Sequence, residues 1–136
     1  MELEIKKEWP PNIEEIRKVL KLEETVVFTY GSVLYNPTGN EIAEHLLAHE
    51  NVHAFQQKWN SDEAKIWWQR YLDDVEFRLE QELEAYVAQY VYIKNTRNSK
   101  VSEEFLDIIA GELSSSLYGN IINYPRAKTL IRHRAR

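Results

Sequence analysis

The chain has 136 residues, of which 43% are hydrophobic and 29% are charged, and it contains no cysteine. This length corresponds to one domain that can bury enough apolar surface to fold without a disulfide or a structural metal. The absence of cysteine excludes a disulfide scaffold, a Cys-ligated zinc finger, an iron–sulfur site and a thiol nucleophile. We therefore expect a single domain over residues 1–136.

The charge is unevenly distributed. Five of the 17 basic residues and none of the 22 acidic residues lie in the tail 126–136, so residues 1–125 carry a net charge of −10. An acidic body does not suit nucleic-acid binding, because basic patches supply most of that affinity. The basic tail is predicted to be a solvated last turn of helix, and contact with nucleic acid or an acidic partner is the alternative.

No apolar run reaches the roughly 20 residues of a membrane span, and the N-terminal segment lacks the apolar centre of a signal peptide. These observations predict a cytoplasmic protein that does not contact a membrane. The sequence leaves the oligomeric state and any protein partner open.

The N-terminal part of the chain predicts strands around one short helix. Residues 2–6 alternate weakly between polar and apolar, which is typical of a strand. Asn12 is expected to cap the helix that follows. Residues 25–36 are rich in β-branched and aromatic side chains around Gly31-Ser32, so they predict a hairpin or a bulged strand.

The rest of the chain predicts three helices, over residues 41–59, 62–94 and 102–118. The first is expected to be capped by Thr38 or Asn40, and the last by Ser102. The middle one spans about nine turns, with room for one bend. The predicted fold class is α+β, a mostly helical domain with a small antiparallel sheet or hairpin beside the helix 41–59.

Residues 49–53 read His-Glu-Asn-Val-His, the HExxH pattern, inside the helix 41–59. Residues four apart share one helix face, so the imidazoles of His49 and His53 can converge on one Zn²⁺ ion with Zn–N bonds of about 2.0–2.1 Å. Glu50 lies beside that face, where it can act as general base on a metal-bound water that attacks a carbonyl. The alternative is a metal-free helix whose histidines hydrogen-bond to their neighbours.

His45 has the same spacing from His49, but one ion cannot bind all three imidazoles, because His45 and His53 are about 12 Å apart along the helix axis. The residue after His45 is Leu46, which cannot act as a base. We therefore interpret His45 as a neighbour that lines the groove or caps a buried polar contact.

A third ligand is expected on the helix 62–94, which carries four glutamates: Glu76, Glu80, Glu82 and Glu84. Glu82 interrupts an apolar stripe formed by Tyr71, Val75, Leu79, Tyr86, Tyr90 and Ile93. A carboxylate on an apolar face is costly unless it is paired or bound to a metal, and this favours Glu82. A salt bridge from Glu82 to Arg78, four residues earlier, is the alternative.

The string HENVHAF, followed by Glu82-Leu83-Glu84-Ala85, resembles the zincin metallopeptidases whose third ligand is a glutamate on a following helix. The longer pattern HLLAHENVHAFQQ, WW, YL and FRLEQELEAY is similar to small metallopeptidase-like domains often encoded by phages and bacteria, and the resemblance covers roughly residues 10–125. It implies a minimal zincin-like fold with zinc ligands at His49, His53 and Glu82 and with Glu50 as general base.

Zincins often add a side chain that stabilises the oxyanion of the tetrahedral intermediate, and Tyr118, Tyr86 and His45 are candidates. Packing in the core is the alternative for either tyrosine. Gln57, four residues after His53, is expected either to orient a ligand or to face solvent.

The sequence thus predicts a zinc metallopeptidase that hydrolyses a peptide or protein held extended by the strand near 25–36. An amidase acting on cell-wall peptides is a variant of this hypothesis. The alternative is a metal-stabilised binding or assembly domain with little or no hydrolytic activity.

Overall fold

A computed structural model describes all 136 residues. The elements in chain order are β1 (Glu4–Lys6), α1 (Ile13–Val19), β2 (Phe28–Tyr30), β3 (Val33–Tyr35), α2 (Glu44–Gln56), α3 (Ser61–Asp73), α4 (Val75–Thr96), α5 (Ser99–Leu113) and α6 (Tyr124–Arg134). A short 3₁₀ turn, Ser116–Tyr118, lies between the last two helices. The predicted α+β class with helices dominating is confirmed. None of the helices combines the length and the apolar character needed to cross a bilayer.

The three strands form a mixed sheet in the order β1-β3-β2. The hairpin predicted around Gly31-Ser32 is confirmed, since β2 and β3 pair antiparallel with Tyr30 opposite Val33. The expectation of a purely antiparallel sheet is wrong, because β1 pairs parallel with β3. Helix α1 lies between β1 and the hairpin in sequence, and this crossover lets the chain return to the sheet in the same direction.

Gly31 occupies the tight turn of the hairpin with φ of 66°, a left-handed conformation that favours glycine. A Cβ atom at this position would lie 3.1 Å from the carbonyl carbon of Asn60 and from the amide nitrogen of Ser61. The hairpin therefore packs directly against the start of α3, where Asn60 caps the helix by accepting from the amides of Asp62 and Glu63.

The single long helix predicted over residues 62–94 is two helices. Asp74 is extended, with φ of −121° and ψ of 105°, and its side chain accepts from the Phe77 amide to cap α4. The helix prediction failed here because a carboxylate side chain competes with the backbone for amide groups and favours a cap. Three capping predictions are also wrong. Asn98 rather than Ser102 caps α5, and α2 begins after Ala43 without a side-chain cap. Asn12 stands at the start of α1, but its side chain makes no capping hydrogen bond.

The basic tail is an ordered helix rather than a solvated last turn. Asn123 caps α6, and Ala127 and Ile131 are fully buried against the preceding helices. Three basic residues of α6 pair with acids on α4 and α5: Arg134 with Glu80, Lys128 with Asp107 and Arg132 with Glu103. The prediction failed because the small and apolar residues that pack inward are widely spaced among the charges.

The apolar core has two parts. The larger lies between α4, α5 and α6 and includes Leu83, Leu106, Ile109 and Leu113. The smaller lies between α1, β2 and α3 and includes Ile16, Phe28, Trp67, Trp68 and Tyr71. Helix α2 packs against α4, and the buried side chains at that contact are polar.

Candidate metal centre

Helix α2 buries a polar face. Its buried residues are His49, Glu50, His53 and Ala54, whereas Phe55 is 74% exposed. Burying imidazole and carboxylate groups without partners is costly, so each of them must find a partner inside the protein.

The partner of both imidazoles is Glu82 on α4. The Nε2 atom of His49 lies 3.1 Å from Oε1 of Glu82, and the Nε2 atom of His53 lies 3.2 Å from Oε2. All three residues are 5% exposed or less. A tetrahedral zinc site with bonds of about 2.0–2.1 Å keeps its ligand atoms roughly 3.3 Å apart, so these spacings suit such an ion.

The other nitrogen of each imidazole is held by a glutamine. Nδ1 of His53 lies 2.8 Å from Oε1 of Gln56, whose Nε2 donates to the carbonyl of Gln81 at 3.1 Å. Because a carbonyl can only accept, it fixes the orientation of the Gln56 amide, so Nδ1 of His53 carries the hydrogen. With its hydrogen on Nδ1, His53 is left with Nε2 on the side of Glu82, and loss of the Nε2 hydrogen would free this atom to bind a metal.

Gln89 holds the Nδ1 atom of His49, as Gln56 holds that of His53. Its Oε1 lies 2.9 Å from Nδ1 of His49, and its Nε2 lies 2.9 Å from Nδ1 of His45. Burial, followed by the charges of Arg97 and His49, lowers the pKa of His45, which favours the neutral ring that can accept from Gln89. His45 thus caps a part-buried polar contact, which is one of the two roles expected for it, and it does not line the cavity at the centre.

Glu50 is oriented by the hairpin. The hydroxyl of Thr29 on β2 donates to Oε1 of Glu50 at 2.9 Å, and both residues are buried. Oε2 of Glu50 lies 3.7 Å from Nε2 of His49. One carboxylate oxygen is therefore held by Thr29, while the other faces the point where the histidines converge.

Tyr71 supports Glu82 from α3. Its hydroxyl donates to Oε2 of Glu82 at 2.6 Å. The alternative of a salt bridge between Arg78 and Glu82 is wrong, because the buried guanidinium of Arg78 donates instead to the carbonyls of Tyr71, Leu72 and Tyr118. Arg78 therefore satisfies backbone acceptors at the end of α3 and leaves the carboxylate to the histidines.

The pKa values follow from this burial and pairing. Burial alone would lower the pKa of His53, but the Glu82 carboxylate, aided by Glu50 and Gln56, raises it to about 9. Burial raises the pKa of Glu82, but His53 and His49 beside it outweigh this effect and hold the pKa well below its usual range. The Glu82 carboxylate is therefore ionised and is paired with the histidines beside it.

The centre opens into a small cavity. The cavity has a volume of about 50 Å³ and is lined by His49, Glu50, His53 and Glu82 together with Tyr118, Trp67 and apolar residues of the segment 20–28. A volume of this size accommodates an ion and one or two water molecules but no peptide side chain.

The two tyrosine candidates for oxyanion stabilisation lie together but differ in access. Tyr86 donates to Oε2 of Glu112 at 3.1 Å, and its oxygen lies 2.8 Å from the hydroxyl of Tyr118. Tyr118 lines the metal cavity, whereas Tyr86 does not. Burial raises the pKa of both hydroxyls, so both stay protonated. Of the two, Tyr118 has the hydroxyl at the cavity.

The side chain of Gln57 takes neither of the places expected for it. The backbone amide of Gln57 donates to the carbonyl of His53 at 3.0 Å, but its side chain does not bond the imidazole. The side chain is fully buried, accepts from the amide of Gly31 at 2.6 Å and donates to the carbonyl of Thr29. Its place beside His53 is taken by Gln56. The carbonyl of Thr29 also accepts from Trp68, so this carbonyl of β2 is covered by side chains and is closed to an extended substrate.

The donor atoms of these residues fit the requirements of a metal ion. The ligand atoms of His49, Glu50 and His53 lie within 4.8 Å of one another, and both Nε2 atoms lie within 3.2 Å of the Glu82 carboxylate. Nitrogen and oxygen donors without sulfur suit Zn²⁺ and other borderline divalent ions. Sequence reasoning missed Gln56, Gln89, Thr29 and Tyr71, because their roles depend on which helices and strands meet.

Comparison with known proteins gave no match: no protein-family model, no curated protein and no solved structure is similar to this chain. What the centre does must therefore be inferred from its chemistry.

Proposed function

We propose that this protein is a zinc-dependent hydrolase, and specifically a metallopeptidase of the zincin type. The observation that carries the proposal is the convergence of two imidazole Nε2 atoms on one buried carboxylate, with both Nδ1 atoms held by glutamine amides. In this proposal His49, His53 and Glu82 hold the ion. When bound, Zn²⁺ would lower the pKa of a water molecule to about 7 and polarise a substrate carbonyl.

Glu50 is the general base. Its Oε1 accepts from Thr29, which leaves Oε2 to take the proton from the attacking water and later pass it to the leaving amine. Burial and the fixed Thr29 contact keep this carboxylate pointed at the centre. Neither Lys nor Arg lies near enough to neutralise it by a salt bridge.

Tyr118 is the proposed donor to the oxyanion. Its hydroxyl reaches the cavity. Because the hydrogen of Tyr86 goes to Glu112, the hydrogen of Tyr118 points to the oxygen of Tyr86, and it would turn to the oxyanion when a substrate binds. A hydrogen-bond donor aimed at the developing negative charge stabilises the transition state more than the substrate.

One observation, the closure of the site, supports a second function, that of a metal-stabilised binding or assembly domain. The four central residues are at most 5% exposed and the cavity holds about 50 Å³, so no peptide reaches Glu50 without movement of a cavity wall. A metal-stabilised binding or assembly domain with little hydrolysis would need no such movement.

The variant Glu50→Gln separates the two functions. It keeps the size of the side chain and removes the base, so we expect zinc content near one equivalent and turnover of a peptide library reduced by about 10²–10⁴-fold. Metal content is measured by mass spectrometry, and hydrolysis by product analysis with and without a chelator.

Wild-type protein provides the reference for both measurements. Retained hydrolysis in Glu50→Gln contradicts the mechanism. Absence of hydrolysis by the zinc-loaded wild type contradicts the peptidase and favours the binding domain.

A further inference from the structure

A second, larger cavity adjoins the metal cavity. It is a groove of about 470 Å³, within the range of about 300–1,000 Å³ that ligand pockets occupy. The two cavities share a wall of residues: Val26, Val27, His49, Glu50, Leu117 and Tyr118. Glu50 and His49 are thus part of the wall between the groove and the metal cavity, and the groove itself is large enough for a substrate side chain.

Gly111 keeps this groove open. It lies inside α5, where glycine is a poor helix former, and it lines the groove. A Cβ atom at Gly111 would meet no other atom within 4 Å, so close packing does not require a glycine here. Its φ is not in the left-handed region either. Since neither close packing nor backbone conformation requires a glycine here, its effect on the structure is to leave space in the groove that a side chain would fill.

The groove is acidic. Three carboxylates line it, those of Glu23, Glu50 and Glu112, and no Lys or Arg does. Burial raises the pKa of the Glu112 carboxyl against the hydrogen bond from Tyr86 and the charge of His49, and the charge of Glu23 adds to the rise. Both carboxylates line the same groove, so a cation held there would reduce the repulsion between them.

We propose that the groove binds the lysine or arginine side chain of a peptide substrate, with Glu23 and Glu112 as its specificity-determining residues and Gly111 as the opening. The inference rests on the proposed function for its placement next to Glu50. It names the substrate class, a peptide with a basic residue beside the scissile bond. The apolar wall residues would cover the methylene groups of such a side chain.

Peptide binding to the Glu50→Gln variant tests this without relying on hydrolysis. The probes are three fluorescent hexapeptides that are identical except for one central residue, which is arginine, glutamine or glutamate. We expect the arginine peptide to bind about tenfold more tightly than the glutamate peptide, because two carboxylates that each contribute up to about 1 kcal/mol to a charge pair would produce such a difference. Adding Glu23→Gln and Glu112→Gln together should remove this preference.

Gly111→Leu and Gly111→Ala form a matched pair in the same background. Both replace glycine by a better helix former, but only leucine fills the groove, so Gly111→Leu should lose binding of the arginine peptide while Gly111→Ala keeps it. Thermal unfolding of each variant shows that the fold is intact.

The outcomes separate the two proposals. Equal binding of the three peptides, no binding of any, or equal behaviour of the Gly111 variants overturns the groove proposal. A preference for arginine in a wild-type protein that hydrolyses nothing keeps the groove and overturns the peptidase. Hydrolysis by the wild type without preference for a basic residue keeps the peptidase and overturns the groove proposal.

Discussion

Helix α4 has two buried sides of opposite character. On one side Leu83 and Tyr90 pack with Leu106 and Leu113 in the larger apolar core. On the other side Glu82 and Gln89 meet the histidines of α2. Burial of the apolar side is favourable in itself, whereas burial of the polar side carries the desolvation cost of charged groups. The apolar side therefore stabilises the fold unaided, and the stability of the polar side depends on whether a metal ion is bound between its ligands.

The largest expected effect is on the apolar side. Leu113 is fully buried in α5, so Leu113→Ala should lower the free energy of unfolding by about 3 kcal/mol, with or without zinc. Urea denaturation measures this loss. Ile108 is 57% exposed on the same helix, and Ile108→Ala should cost less than about 1 kcal/mol. Equal losses in the two variants would show that the core is not where the structure has it.

On the polar side, zinc itself should supply the stability. Free zinc at 100 times its dissociation constant should raise the free energy of unfolding by about 2.7 kcal/mol, and a chelator should remove this gain. His53→Ala should abolish the response, because the Nε2 atom that faces Glu82 is lost. His133 is exposed on α6, so His133→Ala should respond like the wild type. Thermal unfolding with and without zinc provides the measurement.

A smaller effect is expected from the glutamine that orients His53. Gln56→Met keeps the length of the side chain but removes the acceptor of Nδ1, so zinc affinity should fall about 10–100-fold. Competition with a chelator of known affinity measures it. Gln69→Met, at an exposed glutamine of α3, is the control and should leave zinc affinity unchanged. An unchanged affinity in Gln56→Met would mean that His53 does not bind the ion through Nε2.

The smallest effect belongs to the surface ion pairs of α6. Arg134 contacts Glu80 at 3.0 Å, but both side chains are largely exposed. Arg134→Ala should therefore cost less than about 1 kcal/mol, and 1 M salt should reduce the difference from the wild type. Urea denaturation at low and high salt measures both values. A loss that salt does not change would point to packing of the arginine stem instead.

The sequence predicted those parts of the structure that depend on local periodicity. The hairpin around Gly31-Ser32 and the inward orientation of Glu82 follow from alternation and from an interrupted apolar stripe, and both are observed. The helix break at Asp74 was missed because one capping side chain outweighs helical periodicity. The length and packing of helix α6 were missed because its two buried residues, Ala127 and Ile131, lie among charged ones.

The side chains that surround the candidate centre could not be predicted from local sequence patterns. Gln56 and Gln57 are adjacent and of one residue type, yet Gln56 holds His53 while Gln57 holds the hairpin. Only the docking of β2 and α4 on the two sides of α2 decides between them. Tyr71 and Thr29 likewise reach the centre from elements that lie far away in sequence.

The buried guanidinium of Arg78 has a mechanical consequence. It joins the last turn of α3 to the 3₁₀ turn that carries Tyr118, so these two walls of the metal cavity move as one body. The wall formed by residues 21–27 has a single internal backbone hydrogen bond, from the amide of Val26 to the carbonyl of Glu23. Any widening that admits a substrate is therefore expected as a hinged motion of the segment 21–27 against a fixed frame.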